Sequence, residues 1–385
     1  MSTSKWALAI GAVVCAAAIP GCGSKGGSED DYLAAAPEVS ALQLGVTDDS
    51  PSENLATAAD EVDPSSEVAQ GLGEAASGLS ATVAPELANA RHAVADLNQA
   101  LRNFLQPVVA LVRDTDPTTT AGNVKTWGPV TRGATEFRFV MRRGLVRARF
   151  GWELQARPAG SSEDFASVAA GGITVGYAAR RGVGTVGIDL DALGALDPTV
   201  VARGTLLVGF AHGPNGTALA YGLHHFTPNP AQHAAIDAVV QGVHLKAGFN
   251  RLRLAYHGNV AGTASDAEEL VLARVRQRRD EGGRADLRVT GGDVASGRVW
   301  LVSECWDTEL SAAYRAVRDC PGDGLGGDQC VVVSSAGDPA ACAVDLRQPE
   351  LPPADPLAPM SDPESPEGDV TPPDSMPDGT PPSGN

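Results

Sequence analysis

The chain is poor in aromatic residues, which make up 5% of its 385 residues. It also lacks the short motifs that most often betray chemistry. No GxSxG elbow and no P-loop occur, so neither an α/β-hydrolase nucleophile nor a phosphate cradle of that kind is expected. HExxH is absent, which removes the commonest zinc-protease arrangement, and the EF-hand ligand spacing is absent too. Past the first twenty-two residues no apolar run approaches the roughly 20 residues that a spanning helix needs, so no such helix is expected in the mature chain. What the chain does have is 43% hydrophobic residues, enough for a real core.

The formal net charge is −18, but it is unevenly placed. Residues 23–80 hold twelve acids and one Lys, and residues 347–385 hold eight acids and one Arg. The middle, 81–346, has 26 basic and 27 acidic residues. The acidity therefore belongs to two flanks around a near-neutral domain, and net charge alone says nothing about nucleic acid.

Met1 to Lys5 is a short basic start, and Trp6 to Ile19 is apolar over fourteen residues. That is short for a bilayer span and reads as an export signal. It ends in Ile19-Pro20-Gly21-Cys22, which resembles the lipobox of bacterial lipoproteins. The resemblance implies cleavage before Cys22, acylation of its sulfur (palmitate being the usual type of chain) and acylation of the new amine. Several acyl chains on one residue anchor stably, where one would not. Gly23 follows. Asp at that position usually retains such proteins at the inner membrane, so the resemblance implies the outer membrane of the bacterial cell envelope.

The chain divides into a signal peptide over 1–21, an acidic flexible tether over 22–81, a folded domain over 82–346 and a disordered tail over 347–385. The tether reading rests on Gly, Ser, Ala and acids, and the tail reading on twelve of the 27 prolines interleaved with acids. In the domain, Pro85 suits a first-turn position, and Leu87, Ala90, Val94, Leu97, Leu101, Phe104, Val108 and Leu111 follow helical spacing. A break or kink is expected near Pro107.

From Glu136 the period changes to two. Phe137, Phe139 and Met141 alternate with Arg138, Val140 and Arg142, and Phe150, Trp152 and Leu154 alternate with Arg149, Gly151 and Glu153. This predicts a hairpin turning near Arg143-Gly144. Further strands are expected at 172–179, 183–190, 204–212, 217–226, 249–257, 269–278, 284–290 and 297–306. The expected fold is mainly β, an antiparallel meander forming a sandwich, barrel or half-barrel, with one N-terminal amphipathic helix packed on it. A second helix is expected from Asn229-Pro230 to a stop at Gly242, and a short one over Ala192 to Leu196.

Four cysteines remain in the mature domain: Cys305, Cys320, Cys330 and Cys342. An even number in an exported chain implies two disulfides. Both Cys320/Cys330 and Cys305/Cys342 are nearly centred on Leu325, as in one hairpin, which favours nested bridges over the other two pairings.

Six of the seven histidines are His212, His224, His225, His233, His244 and His257. Imidazole is a common ligand for Zn²⁺, and His224 and His244 are candidate ligands. On a regular strand His224 and His225 point to opposite faces, so they share a site only across a bulge. Asp319, Asp323 and Asp328 lie in an Asp- and Gly-rich stretch suited to Ca²⁺ or simply to turns. Gly182 to Gly187 matches GxGxxG without the βαβ context of a dinucleotide site and reads as a turn. Glu304, Asp307 and Glu309 beside Trp306 form an acidic group at a strand end. Arg274, Arg276 and Arg278 share one strand face and read as a solvated strip, or as a contact for anionic lipid or polysaccharide. No catalytic residue and no organic cofactor stand out. The expectation is a lipid-anchored, non-enzymatic envelope module. Its partners are the membrane, through the anchor, and an envelope protein, lipid or polysaccharide, not nucleic acid. A carrier of an apolar ligand is the alternative, and a metal-dependent hydrolase the second.

Overall fold

A computed structural model describes residues 29–36, 42–44, 84–144, 149–175, 182–231, 235–245, 248–258, 267–278, 280–322 and 329–342. The signal segment, Cys22, the Pro-rich tail and the candidate ligands Asp323 and Asp328 lie outside the described residues.

Among the described residues, fifteen strands form one antiparallel meander, each bonded to its neighbours in chain order. They are β1 (Thr119–Ala121), β2 (Val124–Arg132), β3 (Thr135–Arg143), β4 (Arg149–Pro158), β5 (Ala166–Val175) and β6 (Gly182–Asp189). Next come β7 (Arg203–His212), β8 (Gly216–Thr227), β9 (Ile236–Leu245), β10 (Phe249–Gly258) and β11 (Glu269–Arg278). The last are β12 (Gly282–Gly291), β13 (Arg298–Trp306), β14 (Ala312–Pro321) and β15 (Val331–Gly337). Three helices are labelled α1 (Glu29–Ala35), α2 (Pro85–Asp114) and α3 (Leu190–Leu196).

The mainly β, antiparallel meander is thus present, but closure is not. β1 and β15 are the two edges of one open sheet, neither a closed barrel nor a two-sheet sandwich. The two edges are not paired with each other: β1, three residues long, bonds only to β2, and β15, seven residues long, only to β14. The amphipathic helix, α2, lies inside the chain rather than at its N-terminus.

α2 buries Leu87, Ala90, Val94, Leu97, Leu101, Phe104 and Val108 of the predicted stripe, with Leu105 and Val112 beside them, while Leu111 is half-buried. It runs through Pro107 as one element of 30 residues, so the expected break is corrected. Buried Phe104, Leu105, Val108 and Val112 hold both sides of the proline. At its C-terminal end, the Thr115 carbonyl accepts from Trp127 Nε1 of β2 at 3.2 Å. At its N-terminal end, Glu304 of β13 accepts from the Glu86 N–H at 3.0 Å, and Arg315 of β14 donates to the Glu86 carboxylate at 3.0 Å. Ala84 supplies no capping side chain, so a strand carboxylate satisfies the helix start.

The helix therefore reaches from β14 back to β2. Thirty residues give about 45 Å of helix, whereas twelve strand spacings in a flat sheet take roughly 58 Å. The sheet curves toward the helix. One apolar cluster runs from Trp127 through Phe139, Trp152, Phe210 and Tyr221 to Trp306, with α2 in its middle.

Two pieces of the stretch read as tether share this concave side. Tyr32 of α1 packs edge-on to Phe150 at 5.3 Å and donates to the Asn123 carbonyl. Leu42 and Leu44 are buried, and Asn98 of α2 bonds both the N–H and the carbonyl of Leu44, at 3.0 and 2.8 Å.

The helix expected from Asn229 is instead a turn followed by β9. Asn229 Oδ1 accepts from the Ala231 N–H at 3.1 Å, and Ala238 to Gln241 are buried on both sheet faces. Burial between β8 and β10 overrides the capping signal, as it does for β-rich segments generally. The short helix near Ala192 is present as α3, capped by Asp189, which accepts from the Ala192 N–H at 2.8 Å. β1, β2, β14 and β15 were not legible as strands.

Candidate metal centre

The site sits on the outer face, where β7, β8 and β9 meet. β8 slips register between Leu223 and Phe226, so that His224 and His225 together face the single residue Asp237. That is a β-bulge, two residues opposite one. His225 has φ +48°, a left-handed conformation unusual for a residue with a side chain. The turn it makes brings both imidazoles to one side, their ring centroids 4.3 Å apart.

β7 makes room. Gly204 has φ +91°, and a Cβ there would sit 2.3 Å from the His225 carbonyl oxygen. β7 slips register at this point as well, between Arg203 and Thr205. Only glycine lets the bulged backbone approach this closely.

β9 supplies the anion. Asp237 Oδ1 accepts from the His225 N–H at 2.7 Å and lies 2.9 Å from His224 Nδ1. Partial burial pushes the Asp237 carboxyl up. The hydrogen bonds from His225 and His224 and the proximity of both imidazoles outweigh that and hold it below the ordinary value of 3.8. One ligand atom from each of His224, His225 and Asp237 falls within 4.8 Å of the others, and all three residues are exposed.

The other candidate residues do not join this group. His244 belongs to the opposite end of β9, seven residues or roughly 23 Å from Asp237, and its Nδ1 lies 2.5 Å from Asn250 Oδ1. Asp319 binds Arg298 with both oxygens, each at 2.8 Å. Gly182 to Gly187 lie within β6, not in a turn, and Gly184 lies directly against the Phe210 ring. Glu304 is fully buried under the helix, whereas Asp307 organises a turn by accepting from the N–H groups of Glu309 and Ser311. The three acids do not converge.

Arg274 and Arg276 are buried, so the expected solvated strip is corrected for these two, while Arg278 is exposed. They face outward beside Arg284 and Asp286 of β12. Arg284 donates one hydrogen bond to Asp286 at 2.7 Å and lies in ion-pair contact with it at 2.6 Å, and the Ser303 hydroxyl donates to Asp286 at 3.0 Å.

The cysteines pair as the nested arrangement requires: Cys320 with Cys330 and Cys305 with Cys342. Sequence reasoning identified the need for a bulge at His224-His225 but missed Asp237. The signal that could have found it is Gly204, an isolated glycine opening a strand. No protein-family model, no curated protein and no solved structure matches the chain.

Proposed function

We propose that the protein is a lipid-anchored bacterial envelope protein whose folded domain is a non-enzymatic binding or structural module. The observation that carries the second half of this reading is the content of the concave side. α2, α1 and residues 42–44 fill it with the chain's own apolar side chains, in one cluster with the sheet. A carrier of an apolar ligand in a half-barrel would keep that space for its cargo. Two disulfides fit an oxidising, exported setting. The lipobox resemblance at Ile19 to Cys22 supports the anchor and, with Gly23, an outer-membrane address. Val331, Val332 and Val333 stand exposed on the edge strand β15, a surface that favours a protein counterpart in the envelope.

Native mass spectrometry of the protein from its own host tests the proposal. The expected mass starts at Cys22, includes acyl chains, lacks four thiol hydrogens and carries no other lipid. A chain beginning at Met1 would overturn the anchor. Non-covalent lipid would overturn the module reading in favour of the carrier.

A further inference from the structure

We infer that His224, His225 and Asp237 bind one late first-row divalent metal ion, with Cu²⁺ held most tightly and Zn²⁺ next. The inference goes beyond the module reading and does not depend on how the chain is anchored.

Three strands each contribute a feature that the fold would not need for its own sake. A regular β8 would place the two imidazoles on opposite faces. Instead the chain accepts a left-handed histidine at φ +48°, an unusual conformation that clusters where a site demands it. Asparagine or glycine would fill that backbone position with less strain. On β7, Gly204 admits the bulged backbone. On β9, Asp237 faces the pair and fixes it through the His225 N–H and His224 Nδ1.

The donor set chooses the ion. Two imidazole nitrogens and one carboxylate oxygen suit Cu²⁺, Ni²⁺ and Zn²⁺, and affinity along that series peaks at Cu²⁺. Ca²⁺ and Mg²⁺ prefer all-oxygen cages and are poorly served here. An ion about 2.0–2.2 Å from each ligand needs the three atoms closer than their present span. The side chains of His224 and Asp237 are 57% and 44% exposed, so rotation about their side-chain bonds closes the gap without moving the sheet. Three protein ligands leave further positions to water or to a donor from another molecule, which makes this an exchangeable site rather than a structural one.

The test uses the full mature chain, free of tags and stripped with chelator, titrated with Cu²⁺ by calorimetry and electron paramagnetic resonance. The expected result is one ion per chain with imidazole nitrogen coordination. His225→Gly removes one ring and suits the left-handed backbone, so it should keep the fold while weakening binding at least roughly tenfold. Asp237→Asn should weaken it as well. His244→Ala should leave it unchanged, since His244 lies at the far end of β9. Thermal unfolding of each variant separates lost ligands from lost structure. Cu²⁺ bound as tightly by His225→Gly as by the natural chain would overturn the inference. So would binding that follows His244 instead, or no stoichiometric binding at all.

Discussion

The first and second halves of the sheet are built from the same alternating strands, yet they treat their outer face differently. In β4, Phe150, Trp152, Leu154 and Ala156 are buried, whereas Arg149 and Gly151 are exposed. In β6 the same rhythm holds. From β9 to β14 the middle of the outer face is buried too: Val239, Gln241, Ala255, Leu272, Arg274, Arg276, Arg284, Asp286, Leu301, Ser303 and Ala316 are all below a tenth exposed, whereas Asp237, His257 and Arg278 at the strand ends stay exposed. The outer cysteines mark the same side. Cys305 packs with Tyr314 and Ala316, and Cys342 joins them through its disulfide. Half the sheet is thus a two-sided wall with one wet face, and half is a layer buried on both sides. The lesson is that alternation reports one buried face only; a second one must be inferred from what the polar residues do.

The largest expected effect tests that second buried face directly. Arg284 is 1% exposed, and its guanidinium holds Asp286 through one hydrogen bond and an ion pair. Asp286→Ala leaves a buried guanidinium without its carboxylate, and should destabilise the fold by about 3–5 kcal/mol. Urea unfolding measures this. A loss under about 1 kcal/mol would mean that water reaches the outer face of β12.

The disulfides give the next effect and a ranking. Cys305–Cys342 closes a separation of 37 residues, and Cys320–Cys330 one of 10. By loop entropy, removing the first should cost about 4 kcal/mol and the second about 3. If the outer face also depends on Cys342 for its cover, the paired Cys305→Ala and Cys342→Ala variant should lose more than this estimate. It should also bind a hydrophobic dye that the Cys320→Ala and Cys330→Ala variant does not.

Much of this was legible and some was not, for identifiable reasons. The spacing of α2 and the hairpin of β3 and β4 were readable because each buries one face, the situation in which period reports structure. β9 was misread because Ile236, Val239 and Val240 also satisfy a helical template, and burial on both faces erases the strand rhythm. β15 hid because three valines in a row show no alternation, being exposed in the fold. The nested cysteines were legible from symmetry alone. The histidine pair was half legible: the residues were visible, but the bulge that unites them is set by Gly204 and Asp237, on two other strands.

A smaller effect concerns the concave side. Burial above all, and then the Glu86 carboxylate, push Glu304 well above its ordinary value of 4.5; Arg315 and the N–H groups of Glu86 and Leu87 pull the other way. The folded chain therefore holds a proton that the unfolded chain releases. This contribution to stability is complete below about pH 4.5 and is lost as pH rises through the folded value, by up to about 1.4 kcal/mol per pH unit within that window. Glu304→Gln keeps an acceptor for the helix start and cannot ionise. Its stability should fall less between pH 5 and pH 8 than that of the natural chain. An unchanged slope would show that Glu304 is not the group that titrates.

The smallest effect separates the two halves with one residue type. Arg149 of β4 and Arg276 of β11 both sit at outward positions, but Arg149 is exposed and Arg276 is 8% exposed. Arg149→Ala should change stability by no more than about 0.5 kcal/mol, as surface substitutions usually do. Arg276→Ala removes the packed aliphatic stem as well as the charge and should cost clearly more. The contrast is sharper than either value, because strand length and residue type are the same. Equal small losses would make the outer face of β11 a wet surface like that of β4. Equal large ones would mean that Arg149 has a cover of its own. Only an unequal pair supports a sheet that is buried once at its beginning and twice toward its end.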